Sequence, residues 1–197
     1  MTTIAELASV ASVYTGYHFR GSVNHKPDGQ YAVIQAKDVD DSLSFDPEKL
    51  ARVDLDSDAE RYLLRRGDVL FLSRGQRPWA MPLSDLVGAT IAPSSFYVVR
   101  ADSSRIRPEY LAWYLNHDST QATLKTMTTG SNIPFVSRAE FEKLPVAAPV
   151  ISVQDKIISL TRLKETERKL LQELASHRTK LVDAVCMELA RREAKGK

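Results

Sequence analysis

The sequence predicts an α+β fold: a single domain over residues 1–150 with a mixed β-sheet core and short helices, then a long C-terminal coiled-coil helix over residues 151–197. Three observations carry that expectation. In the first 150 residues, short β-branched and aromatic runs such as Tyr31-Ala32-Val33-Ile34-Gln35 and Val69-Leu70-Phe71-Leu72 alternate with turns rich in Gly, Pro and Asp. Leu144-Pro145-Val146-Ala147-Ala148-Pro149 is an extended linker, because each proline biases its predecessor away from the helical region. From about Ser152 to Arg192 there is neither Gly nor Pro, and Leu, Glu, Lys, Arg and Ala dominate, which is the composition of an uninterrupted helix.

Taken in order, Thr3 to Ala11 reads as a short helix with Ile4, Leu7 and Ala8 on one face. The aromatic segment from Val13 to Gly21 is open to a strand or an exposed loop, and Asn24 to Gly29 is turn-forming. Tyr31 to Gln35 is a short buried strand. Within the acidic stretch that follows, Asp54 to Asp58 reads as a solvated loop. Gly67-Asp68 makes a turn into the strand Val69–Leu72, and Ser73-Arg74-Gly75-Gln76-Arg77-Pro78-Trp79 is a polar, basic loop. Ala89 to Val99 holds two strand-like pieces around Pro93. Pro108 opens a helix to about Asn116, since proline is tolerated in a first turn. Gln121 to Met127 is a second helix, Ile133–Val136 a strand-like return, and Ser137–Glu142 a short capped helix.

The final helix has Ser152 as its expected N-cap and Asp155 at the acidic third position of a capping-box-like start. Roughly 40 residues would span about 60 Å, too long to lie across one small domain. Ile157, Leu160, Leu163, Leu170, Leu174, Leu181 and Val185 recur at spacings near three, four and seven, the pattern of a dimer or partner helix. Glu167 and His177 interrupt those columns, and polar residues at such positions can fix register. The competing reading is a helix packed on its own domain.

Composition excludes several classes. The 43% apolar and 26% charged content is that of an ordinary soluble protein. No apolar run approaches the ~20 residues of a membrane span, and the N-terminus lacks a signal pattern. The single cysteine, Cys186, reads as a small hydrophobe and fits a cytoplasmic protein without an intrachain disulfide. From Gln154 onward eleven Lys and Arg face seven Asp and Glu, while residues 38–60 hold nine acids against Lys49 and Arg52. A polyanion would be repelled by one region and attracted by others. Charge alone leaves nucleic-acid binding and plain solvation equally open.

Catalytic patterns fail on inspection, so neither a catalytic residue, a metal nor a cofactor is expected. Asp28 with Gln35-Ala36-Lys37 mimics a metal-dependent nuclease core, but Gln stands where an acid should hold the ion. Asp54-Leu55-Asp56-Ser57-Asp58 opens like a calcium loop and then lacks its Gly and its bidentate Glu. The four histidines are scattered, and no phosphate-binding Gly loop or nucleophile elbow is present.

The order of segments carries more than any one of them. Ala5-Glu6-Leu7 leads to Tyr14-Thr15-Gly16, then Tyr31 to Asp38, Arg66-Gly67-Asp68-Val69-Leu70-Phe71, and Pro108-Glu109-Tyr110-Leu111 with Tyr114-Leu115. Thr129-Gly130-Ser131-Asn132-Ile133-Pro134 follows, and a proline-rich exit runs into Gln154-Asp155-Lys156-Ile157. Over nearly the whole chain this resembles the DNA-specificity subunit of type I restriction–modification enzymes, in a half-sized form with a single target-recognition domain.

The resemblance implies a recognition domain that reads double-stranded DNA and a helix that joins an antiparallel coiled coil and docks DNA methyltransferase subunits, with a restriction subunit as a further partner. A full member has two such domains, so the expectation is a homodimer through the helix that binds a bipartite target. Base reading needs Arg for guanine and Gln or Asn for adenine. Arg74, Gln76 and Arg77, braced by Trp79, are the first candidates, with Thr128, Ser131 and Asn132 next. Arg20, His25 and Lys26 are candidates for phosphate contacts, which position without specifying. Two alternatives stay open: a regulator or decoy that docks a methyltransferase through the helix, and a nuclease centred on Asp28 and Lys37.

Overall fold

The computed structural model of the chain describes residues 3–55, 57–75, 77–86, 88–130 and 134–195. The expectations for Gln76, Ser131 and Asn132 lie outside the described residues. The chain divides into two compact units, Met1–Asp155 and Lys156–Lys197.

The first correction falls at the start. Residues 3–11 do not form a helix: β1 (Thr3–Glu6) passes through a single 3₁₀ turn at Leu7–Ser9 into β2 (Ala11–Thr15). β1 pairs antiparallel with residues 145–148, in register from Thr3 opposite Ala148 to Glu6 opposite Pro145. A local helical spacing lost to this non-local ladder, because pairing buries Leu7 completely while leaving Ile4 72% exposed. The same ladder corrects the linker. Leu144 to Ala148 is extended as expected, but Pro145–Ala148 is a strand, with Leu144 just before it and Val146 within it fully buried, and Pro145 is tolerated because the two-stranded sheet has only edges.

β3 (Tyr31–Val33), β4 (Ala51–Val53), β5 (Asp68–Leu72), β6 (Ala80–Pro82), β7 (Thr90–Ile91) and β8 (Phe96–Ala101) complete the main sheets. β2, β8, β5 and β6 form an antiparallel four-stranded sheet in that order, and β3 lies between antiparallel β4 and parallel β7. Gly67, with φ of +86°, supplies the left-handed turn before β5 that a side chain would strain. Val69, Leu70 and Phe71 are all fully buried, so β5 is covered on both faces. On one face Leu70, Met81, Phe96 and Val98 meet Ile34, Leu50 and Leu64. On the other, Phe71 stacks on Phe141 with ring centres 4.2 Å apart.

The acidic stretch is more ordered than a solvated loop. It contains β4, and Leu50, Val53 and Ala59 are buried. Asp40 accepts hydrogen bonds from the amides and hydroxyls of Ser42 and Ser44, which pull its carboxyl down to about 2.

α1 (Pro108–Asn116) buries Tyr110, Leu111 and Leu115, and α2 (Asp118–Thr126) follows after one residue. The hairpin of β9 (Thr128–Thr129) and β10 (Phe135–Val136) leads to α3 (Arg138–Glu142), capped by Ser137, whose hydroxyl accepts from the Glu140 amide at 3.3 Å. β11 (Pro145–Ala148) is the partner of β1 and runs into α4 (Ile151–Lys195).

The start of α4 corrects the cap. The helix begins at Ile151, so Ser152 lies inside the first turn, and Asp155 pairs with Arg107 Nε at 3.1 Å rather than closing a capping box. Gln154 is fully buried. Its carbonyl accepts from the Arg107 amide at 2.8 Å, and its amide donates to the carbonyls of Arg105 at 2.9 Å and Pro149 at 2.7 Å. In the second unit, Leu160, Leu163, Leu174 and Leu181 are each 66% exposed, and Leu170 and Val185 are exposed as well. Ile157 is half-buried. Cys186, expected to act as a small hydrophobe, is exposed. Among the described residues no helix is long and apolar enough to cross a membrane.

Candidate nucleic-acid interface

The loop after β5 is held from two sides. Ser73 is buried, with its amide and hydroxyl both donating to the Ser95 carbonyl at 2.9 Å. Its own carbonyl accepts from the Val136 amide at 3.0 Å, and the Gly75 amide donates to Pro134 at 2.9 Å. Arg74 therefore sits directly opposite Phe135, and its guanidinium lies 5.9 Å from the centre of that ring. The ring holds the guanidinium in place at the surface, where it can meet a phosphate or a base edge.

An open cleft of about 420 Å³ forms beside this pair. Its far wall is the chain after β2. The Gly16 amide donates to Phe96 and the Tyr17 amide to Ala92, a path that passes against Pro93 and presents His18, whose Nδ1 lies 3.4 Å from Ser94 Oγ. Tyr62 lines one side, edge-on to Tyr17 at 5.2 Å. Arg138, on the first turn of α3, lines the other and pairs with Glu142 at 2.7 Å. Tyr97 braces the floor by donating to the Val136 carbonyl at 2.8 Å, and burial pushes its hydroxyl pKa up. Arg74 and Arg138 bring positive charge to the lining, the latter paired with Glu142, so the cleft favours an anion beside Arg74.

The other expected residues scatter. Arg77 opens instead on a separate cleft of about 280 Å³, whose wall carries Asp40 and Asp41, an acidic setting for a DNA contact. Trp79 packs on the core, edge-on to Phe96 at 5.5 Å. Thr128 is near the Phe135 hairpin, but its hydroxyl donates to the Leu124 carbonyl at 2.9 Å. Lys26 is ion-paired with Asp54, which lowers the pKa of that carboxyl. His25 Nδ1 accepts from the Arg52 amide at 3.1 Å. Arg20 is exposed and, like these two, does not line the Arg74 cleft.

Asp28 and Lys37, the basis of the nuclease alternative, are exposed, and the neighbouring Asp38 carboxylate accepts from the Gln35 amide at 2.9 Å. Among the described residues no three of His, Cys, Asp and Glu converge as metal ligands. The sequence reading missed Phe135, Arg138, His18 and Tyr62. The available signal was the exit from the hairpin, where an aromatic and an Arg flank a helix cap within four residues.

No family model and no curated relative matches the sequence. Solved structures do match. The S subunit of the type I restriction–modification system from M. genitalium aligns with a TM-score of 0.58 at 11% identity, over 88% of this chain and 41% of that one. The HsdS subunit from Thermoanaerobacter tengcongensis aligns with a TM-score of 0.60 at 17% identity, over 84% and 38%. A chain from a structure of complex assembly and conformational transition of the type I R-M system aligns with a TM-score of 0.64 at 18% identity, over 86% and 40%. The chain thus spans about two-fifths of the length of these three chains, and what it shares with them is the fold: it has the fold of type I restriction–modification S subunits.

Proposed function

We propose that this chain is a non-catalytic specificity module of a type I restriction–modification assembly. One recognition domain binds a DNA half-site, and α4 pairs with a second copy to present two such domains to a bipartite target. The pair directs methyltransferase and restriction subunits to that sequence in the cytoplasm. One observation carries the reading: over 84–88% of its length the chain shares the fold of type I S subunits. That fold joins a DNA-reading domain to a long helix, and this chain has both parts. The basic, aromatic-walled cleft at Arg74 and the exposed leucines of α4 support the two halves of the proposal.

Sedimentation of the purified chain, alone and with its neighbouring methyltransferase, with and without duplex DNA, tests this. The expected result is a dimer that recruits methyltransferase and binds DNA with a steep salt dependence. A monomer that ignores both would overturn it. The exposed leucine seam also favours a second reading, a regulator that docks a methyltransferase through α4. Recruitment of methyltransferase without DNA binding would establish that one instead.

A further inference from the structure

The polar interruptions of the α4 seam have a symmetry of their own. Leu160, Glu167, Leu174, Leu181 and Glu188 fall in one heptad column, and Lys156, Leu163, Leu170, His177 and Ala184 in the neighbouring one. In an antiparallel pair of identical helices, each residue of one column packs against a residue of the other column in the partner, equally far from the two-fold axis on the opposite side.

We propose that α4 pairs antiparallel with α4 of a second copy in a single register centred on Gln172, specified by Glu167 facing the partner's His177 and Lys156 facing the partner's Glu188. This rests on self-association through α4 and goes beyond it by fixing the register and the side chains that meet. In that register Leu170 meets the partner's Leu174, Leu163 meets the partner's Leu181, and Leu160 meets the partner's Ala184. Every apolar seam residue finds an apolar one, and each polar residue finds a complementary one. The carboxylate of Glu167 accepts from either protonation state of the imidazole; Lys164 of the flanking row approaches the partner's Arg178, and the carboxylate beside them offsets that like-charge contact. The same row brings Ile157 near the partner's Val185 and Leu171 near its own copy, which widens the apolar seam. Glu173 approaches its own copy on the opposite, wet flank, where water and salt screen the pair.

Other arrangements fail on the same residues. A shift of one heptad in one direction sets Glu167 against Leu170 and His177 against Leu160. A shift in the other sets Glu167 against Ala184 and His177 against Leu174. Either leaves a polar group facing an apolar one in each of these layers, at the cost of desolvation without a partner. A parallel, in-register pair stacks Lys156, Glu167, His177 and Glu188 each on its own copy, which is repulsive at the charged positions. Charge complementarity within one helix therefore names a second copy of this chain as the occupant of the exposed seam.

The test combines disulfide trapping with a charge exchange in the full chain. In a Cys186→Ser background, mild oxidation should cross-link the double variant Leu163→Cys/Leu181→Cys into dimers and leave both single variants uncross-linked. Glu167→Lys and His177→Glu should each weaken dimerisation by roughly tenfold to a hundredfold, and the two together should restore it to within about threefold. All the substituted side chains are exposed, so the fold of the recognition domain is not at stake. Cross-linking of either single variant, or a double exchange no tighter than the single ones, would overturn the register and leave self-association standing. A monomeric unmodified chain would overturn both.

Discussion

Asp68 and Arg100 face each other across β5 and β8 and form a two-pronged ion pair, Nε to Oδ1 and a terminal guanidinium nitrogen to Oδ2, both at 2.8 Å. Asp68 is 1% exposed and also accepts the Arg65 amide at 2.8 Å, so one carboxylate closes the Gly67 turn and joins the two central strands. The pair raises the pKa of Arg100, whose guanidinium then lies 5.2 Å from the centre of the Tyr14 ring. Removing one partner of a buried pair leaves the other charge without compensation. Arg100 keeps 30% of its side chain in water, which relieves part of that penalty. Asp68→Ala is expected to lower unfolding free energy by about 3 kcal/mol, read as a fall in the urea midpoint at unchanged slope. A loss below about 1 kcal/mol would show the pair to be peripheral to stability.

Gln154 anchors the first turn of α4 by satisfying three backbone groups: the Arg107 amide and the carbonyls of Arg105 and Pro149. Gln154→Leu keeps the bulk and removes these bonds, which leaves buried polar groups unpaired. The expected cost is about 2–3 kcal/mol. Hydrogen exchange should find faster exchange of the Arg107 amide in the variant. Unchanged protection there would show that another group holds this junction.

These two sites mark what was readable and what was not. The turn Gly67-Asp68, the strand after it, Pro108 at the start of α1 and the Ser137 cap were all legible, because each depends on one residue's local geometry. Gln154 was conspicuous within the segment that carried the family resemblance, but the three groups it binds could not be seen. The β1–β11 ladder was misread at both ends, as a helix and as a linker, since its partners lie some 140 residues apart and a two-stranded pairing leaves no periodic trace in either segment. Arg74 was legible as a basic loop residue. That it, and not Arg77, would meet Phe135 and Arg138 depended on the β10 hairpin returning beside Ser73.

Tyr110 donates to the Ala147 carbonyl at 2.7 Å and so ties α1 to β11. Burial pushes its pKa from the ordinary 10 up to about 12, helped by the nearby Tyr114. The neutral phenol is the form the fold holds. A raised folded pKa means that this contribution is complete below pH 10 and is lost as pH climbs from 10 toward 12. Absorbance titration of tyrosinate should show a late step near pH 12 that disappears in Tyr110→Phe. The variant should be less stable at neutral pH by about 1 kcal/mol through loss of the hydrogen bond. A titration in which Tyr110→Phe leaves the late step intact would assign it to another tyrosine.

Gly16 is required by closeness of approach. A Cβ at this position would lie 2.3 Å from the Pro93 carbonyl oxygen and 2.5 Å from that of Ala92. The backbone cannot simply retreat, because the Gly16 amide donates to Phe96 at 3.0 Å and the Tyr17 amide to Ala92 at 2.7 Å. Gly16→Ala should destabilise the domain by about 2–3 kcal/mol and displace the wall that carries His18. Thermal unfolding measures the first effect. A variant as stable as the parent would mean that β2 and the Pro93 segment separate more easily than their hydrogen bonds imply.

The Arg74 cleft makes a prediction that separates it from the Arg77 cleft. Arg74 stands over Phe135 with Arg138 on the same lining, whereas Arg77 shares its cleft with Asp40 and Asp41. The hydrogen bonds that bind Asp40 hold its carboxyl near 2, so it stays charged at neutral pH and disfavours a phosphate beside Arg77. If the cleft at Phe135 is the DNA surface, Arg74→Ala should weaken duplex binding by about 1–3 kcal/mol. If the lost contact is to a phosphate, the slope of log affinity against log salt should fall by about one. Phe135→Ala removes the ring beside the Arg74 guanidinium without removing charge. It should weaken duplex binding by less than Arg74→Ala does, with the salt slope unchanged. Arg77→Ala should leave both quantities close to the parent. Fluorescence anisotropy over a range of salt concentrations reads all three variants. A dominant effect at Arg77 with none at Arg74 would move the DNA surface to the other side of the loop.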